Sequence, residues 1–158
     1  MLLRRYFIGL TAAVLSIGCG GENADGIQRV AVSGEVTLDG QPLESGYVSF
    51  IPKSDGPSAG GEILSGSYSI SKALGPAAGE YRVEVRSMVP TGRKIPNYDG
   101  ADGEMMEELY DQIPPNYNTE TQLVVEIKSG SANTHDLKMQ GRLSAPKPGT
   151  TKKSGRNR

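Results

Sequence analysis

Apolar side chains recur at every second position in several stretches of this chain, a spacing that fits extended strands with one buried face and not helices. Val30, Val32, Val36 and Leu38 share one parity, while Arg29, Ser33, Glu35 and Thr37 share the other. Asp39-Gly40 follows, a hairpin signal because Gly accepts positive φ without steric cost. The chain is then expected to return through Tyr47–Pro52, with Val48 and Phe50 on one face. Tyr68 with Ile70, Tyr81 with Val83 and Val85, Leu123 with Val125 and Ile127, and His135 with Leu137 and Met139 repeat the pattern. Ser65-Gly66, Leu74–Gly79 and Ser129-Gly130 supply turns between them.

About seven short strands at this spacing predict a single all-β domain, a seven-stranded antiparallel β-sandwich over residues 29–141. Gly 21 and Pro 10, about a fifth of the 158 residues, agree with many turns and argue against a helical bundle. One Cys and one His exclude an internal disulfide and a conventional zinc cluster.

The first residues read as an address. Met1–Arg5 is a short basic start carrying Arg4 and Arg5, and Tyr6–Ile17 is an apolar run too short to span a bilayer. Residues 1–18 are therefore expected to be a signal peptide. Arg4-Arg5-Tyr6-Phe7-Ile8 also resembles part of a twin-arginine signal, with general secretion favoured. Leu15-Ser16-Ile17-Gly18-Cys19 resembles a bacterial lipobox, which implies lipidation at Cys19 and membrane anchoring through that lipid. Gly20 after the Cys implies, by the same resemblance, the outer membrane of the cell envelope. Residues 19–28 would be the lipidated tether. Losing Arg4 and Arg5 from the 17 basic residues leaves 15 against 18 acidic, a net charge of −3, which excludes a globally basic nucleic-acid binder.

Two segments break the alternation. Ser87–Asn118 holds Pro90, Pro96, Pro114 and Pro115 around an acidic stretch, Asp99–Asp111, in which Glu104–Tyr110 has the spacing of a short helix. So long a connection is uncommon without a role or structure of its own. Residues 142–158 are basic, with Lys147, Lys152, Lys153, Arg156 and Arg158 and no acid after Ser144, and are expected to be a disordered tail.

The strands also carry recognisable wording. Val32-Ser33-Gly34-Glu35-Val36-Thr37-Leu38-Asp39-Gly40-Gln41-Pro42-Leu43 resembles the opening of carboxypeptidase regulatory-like, transthyretin-like domains. Gly46–Pro52, Gly66–Ile70 and Gly79–Val85 are similar to the strands that follow. Ile113-Pro114-Pro115-Asn116-Tyr117-Asn118 and Asn133–Leu137 resemble the ending of short bacterial lipoproteins with this domain. The resemblance implies a non-catalytic accessory module without cofactor. The fold also includes 5-hydroxyisourate hydrolases, which need several His and Arg residues and a Tyr-Arg-Gly-Ser ending. The single His and the ending Gly155-Arg156-Asn157-Arg158 do not fit that activity.

The expected contact surface for a protein or cell-wall partner is the acidic loop: Tyr98, Asp99, Asp102, Glu104, Glu107, Glu108, Tyr110, Asp111 and Tyr117. Tyr is favoured at interfaces, although such residues also pin loops to their own domain. A small-ligand or Ca²⁺-dependent carbohydrate-binding module is the alternative, since the carboxylates are hard oxygen ligands. His135 is expected to be a packed, hydrogen-bonded histidine, and no catalytic residue is assigned. Lys53, Asn133 and Glu84 are the types that form intramolecular isopeptide bonds, but nothing in their spacing singles them out.

Overall fold

The computed structural model describes residues 25–147. The expected signal peptide, Cys19 and the basic residues beyond Lys147 lie outside them. The described chain is all-β and sandwich-like, built from a curled nine-stranded sheet and a second sheet of two strands. In chain order the strands are β1 Val32–Leu38, β2 Gln41–Pro42, β3 Ser45–Pro52, β4 Ala59–Leu64, β5 Ser67–Ile70, β6 Gly79–Arg86, β7 Met88–Pro96, β8 Met105–Asp111, β9 Val124–Ile127, β10 Asn133–Thr134 and β11 Leu137–Met139.

The alternation sets the core. Val32, Val36, Leu38, Val48, Phe50, Ile63, Tyr68, Ile70, Tyr81, Val83 and Val85 all fall on the buried parity of their strands. Phe50 and Tyr68 meet with ring centroids 6.0 Å apart. Two turns are fixed by local chemistry. Asp39 and Gly40 take φ of 55° and 78°, and Ser65 and Gly66 take 48° and 79°, the positive pairs that match the twist of a two-residue hairpin. Asp39 does more than turn the chain: its carboxylate accepts the amides of Gly141 (2.7 Å) and Arg142 (3.1 Å). Those two bonds hold it below the usual carboxylate range.

Strand β1 explains the curl. Val32–Glu35 pair antiparallel with β5, while Thr37 and Leu38 pair with β2, so the strand changes partner at Val36. On its other edge β1 pairs with β10 and β11, and both pairings are parallel. The sheet is therefore antiparallel except at this seam, and the last strand of the expected sandwich is split in two. From β5 the order continues β4, β3, β6, β9, each antiparallel to its neighbour. The expected count of seven misses the short β2, the split last strand and the second sheet.

The second sheet also corrects the local reading of the acidic segment. Glu104–Tyr110 forms no helix. Met105–Asp111 is strand β8, paired antiparallel with β7 from Met88↔Asp111 to Pro96↔Met105, with a bulge between Pro90 and Lys94. Met105, Met106, Leu109 and Tyr110 suit one face of a helix, but the ladder with β7 gives each backbone group of β8 on that side a long-range partner, and tertiary pairing overrides the local pattern. The one helical element among the described residues is a 3-10 turn, Pro115–Tyr117.

Candidate functional site

The β7–β8 hairpin is the expected contact surface, and its base is buried and densely hydrogen-bonded. Ser87 and Gln112 are buried where the two strands leave the body. Ser87 Oγ donates to the Ser45 carbonyl (2.6 Å) and accepts from Gln112 Nε2 (2.8 Å). The Asp111 carboxylate accepts the amides of Ser87 (3.1 Å) and Ile113 (3.0 Å) and Nδ2 of buried Asn118 (3.2 Å). Arg142 Nη1 donates to Gln112 Oε1 (2.9 Å), and the Leu143 amide donates to the Gln112 carbonyl (2.9 Å). Buried polar groups satisfied this fully hold one geometry, because leaving any of them unpaired costs about 1–3 kcal/mol.

Beyond that base no residue of either strand is buried. Opposite residues of an antiparallel pair share a face. One face therefore carries Met88, Pro90, Lys94 and Pro96 with Leu109, Glu107 and Met105, all exposed. The other carries Val89, Thr91, Arg93 and Ile95 with Tyr110, Glu108 and Met106. The result is exposed Met88, Ile95, Met105, Met106 and Leu109 on one hairpin, with Tyr98 91% exposed at its tip.

The hairpin sorts the sequence-predicted residues by role. Tyr98, Asp99, Asp102 and Glu107 face solvent. Glu104 closes the tip, accepting Asn97 Nδ2 (3.1 Å) and the Ala101 amide (3.1 Å). Glu108 accepts Thr91 Oγ1 (2.7 Å) and pairs with Arg93 (2.6 Å), and these bonds, Thr91's above all, hold its carboxyl below the ordinary range. Tyr110 is half-buried opposite Val89. Asp111 belongs to the base, and Tyr117 lies off the hairpin, its hydroxyl accepting the Gln140 amide (3.3 Å). Asp111 and Tyr117 thus hold the domain together and are not displayed. Met105, Met106 and Leu109, which a helical reading would place on one packed face, are exposed on β8; the run Met-Met-Glu-Glu-Leu-Tyr has no period of two to announce the strand.

Among the described residues no group of three or more His, Asp or Glu side chains converges as metal ligands would. Lys53 pairs with Glu80 (3.0 Å), Glu84 with Arg82 (3.0 Å), and buried Asn133 with the Lys128 backbone (2.8 and 2.9 Å), so the isopeptide types are not brought together. No described helix is long and apolar enough to cross a membrane.

His135 is packed, as expected, but its Nε2 is buried without a hydrogen-bond partner. Its backbone carbonyl accepts the Tyr68 hydroxyl (2.9 Å), which burial pushes up. Burial lowers the imidazole pKa, against a smaller opposing pull from Asp136. An unfolded histidine titrates near 6.5, so below that value the unfolded chain binds more protons. Stability is then full above about pH 6.5 and falls as pH drops through the folded value. From pH 7.5 to pH 5 the native chain is expected to lose melting temperature relative to His135→Gln, whatever the difference between them at pH 7.5. Parallel curves would contradict this.

No known protein family, curated protein or solved structure matches the chain.

Proposed function

We propose that this is a non-catalytic cell-envelope protein, held at the outer membrane by lipid on Cys19, whose β-sandwich presents the β7–β8 hairpin to a partner. The carrying observation is the hairpin itself: large apolar side chains exposed on a two-stranded sheet with a hydrogen-bonded, buried base. Monomeric proteins rarely leave such side chains clustered in water unless something else covers them. The anchor is supported by the basic start, the short apolar run and the small residues before Cys19. Two or three acyl chains, at about 0.8 kcal/mol per buried methylene, hold a protein where one chain does not. The wording of the β1–β2, β3, β5 and β6 segments supports membership of the carboxypeptidase regulatory-like group, whose modules accompany other proteins. A photo-crosslinker placed at Tyr98 in the native envelope tests the contact surface. Adducts are expected from Tyr98 and not from Leu74, which is 70% exposed on the loop between β5 and β6.

A further inference from the structure

The ladder fixes which backbone groups of the hairpin face outward. In an antiparallel pair, hydrogen-bonded and non-hydrogen-bonded positions alternate, and residues at the second kind turn N–H and C=O away from the partner strand. The Gln112 amide donates to Ser87 (3.0 Å) and the Asn97 amide to Glu104 (2.9 Å), at the two ends of the ladder. Counting inward through the register makes 88↔111, 90↔109, 94↔107 and 96↔105 the non-hydrogen-bonded pairs. On β7, two of the four outward positions are Pro90 and Pro96, which have no N–H to offer, the usual protection of an edge. On β8 the outward positions Met105, Glu107 and Leu109 all retain their amides, and β8 pairs with no strand but β7 among the described residues. One edge of the hairpin is interrupted at two of its four outward amides and the other keeps them.

Charge selects the occupant. Glu107 sits on the open edge between exposed Met105 and Leu109, opposite Lys94 and with no ion pair to it. The tip beyond adds Asp99, Asp102 and Glu104. A second copy pairing antiparallel about Glu107 would set that carboxylate on its own copy, and one pairing about Leu109 would set it opposite Asp111. Like charges so placed destabilise a pair. The chain's own C-terminal segment adds no strand to this edge as far as Lys147, the last described residue.

We propose that the open edge of β8 takes an extended strand from another protein by strand addition, a strand with a Lys or Arg opposite Glu107 and apolar side chains two residues to either side. This rests on the hairpin being the contact surface and names the chemistry of its partner. Main-chain bonds supply affinity in such pairings, and alternate side chains supply selectivity.

The test uses the full chain in detergent and a fluorescein-labelled nonapeptide of alternating valine and threonine with one lysine at the centre of the valine face. Fluorescence anisotropy is expected to show binding, weakened about tenfold by replacing that lysine with glutamate. Glu107→Pro removes one outward amide, leaves the ladder to β7 intact, and is expected to weaken binding about tenfold or more. Glu107→Gln keeps the amide and is expected to lose about threefold. Leu109→Pro reads the same edge should Glu107→Pro unfold. Equal binding by both proline variants and the native chain, absence of peptide binding, or indifference to the central charge would overturn the proposal. Tighter peptide binding after truncation at Lys147, or dimerisation lost in Glu107→Pro, would assign the edge to the chain itself and overturn it too. Failure with Tyr98 crosslinks retained sinks strand addition alone; failure with those crosslinks absent sinks the contact surface as well.

Discussion

Replacing Phe50 with alanine is expected to destabilise the protein by about 3–5 kcal/mol, the range for emptying a large aromatic site in a close-packed core. Phe50 has no solvent exposure and lies on β3 between two neighbours, facing Ala59 across β4 and Val83 across β6. Its ring also meets Tyr68, a tilted contact of the kind that adds about 0.5–1.5 kcal/mol beyond burial. The curled sheet cannot collapse into the void cheaply, because β3 is hydrogen-bonded on both edges. With roughly 4 °C of melting temperature per kcal/mol for a domain of this size, thermal denaturation should move down by about 12–20 °C. Phe50→Leu, which keeps most of the volume, should lose less than half as much. A shift of only a few degrees for the alanine variant would mean that this strand is not central.

Gly34→Ala is expected to be nearly as damaging although it adds a single methyl group. A Cβ at Gly34 would lie 2.0 Å from the backbone oxygen of His135 and 2.6 Å from its carbon. Neither atom belongs to a flexible side chain, so the seam between β1 and the last segment must part. That seam carries the His135 amide to the Ser33 carbonyl (2.9 Å) and the Glu35 amide to Asp136 Oδ1 (2.9 Å). The Tyr68 hydroxyl, bonded to the same His135 oxygen, moves with it. Overpacking of about 1–3 kcal/mol and one or two hydrogen bonds at about 1 kcal/mol each give a loss on the order of 3 kcal/mol. Chemical denaturation midpoints measure it. Gly40→Ala is the comparison: nothing lies within 4 Å of its Cβ, so the damage there comes from its φ of +78° and should be smaller.

These two positions also show what the sequence can and cannot announce. Phe50 is legible from Tyr47–Pro52 alone, because alternation is local and burial follows from it. The Asp39-Gly40 and Ser65-Gly66 turns are legible for a similar reason: positive φ is a demand each residue meets by itself. The crowding at Gly34 is not legible, since it arises from His135, a hundred residues away between two short strands that pair parallel where hairpin logic expects antiparallel. The hairpin shows the same divide. Its acidity is plain in Asp99–Asp111, but which carboxylates are spent is decided largely by Thr91, Arg93 and Ser87, 15 to 24 residues away in sequence. Pro90 and Pro96 argue against a strand when read singly. In the ladder they occupy outward positions, where a missing amide costs no bond to β8.

The claim that the hairpin is what other molecules touch is tested most directly by crosslinking from Tyr98 in intact cells, with Leu74 as the reference on the body. Each position receives a photo-reactive residue, the cells are irradiated, and adducts are resolved by mass. A discrete adduct from Tyr98 with none from Leu74 is the predicted result. Equal labelling of both positions, or labelling from Leu74 alone, would contradict it.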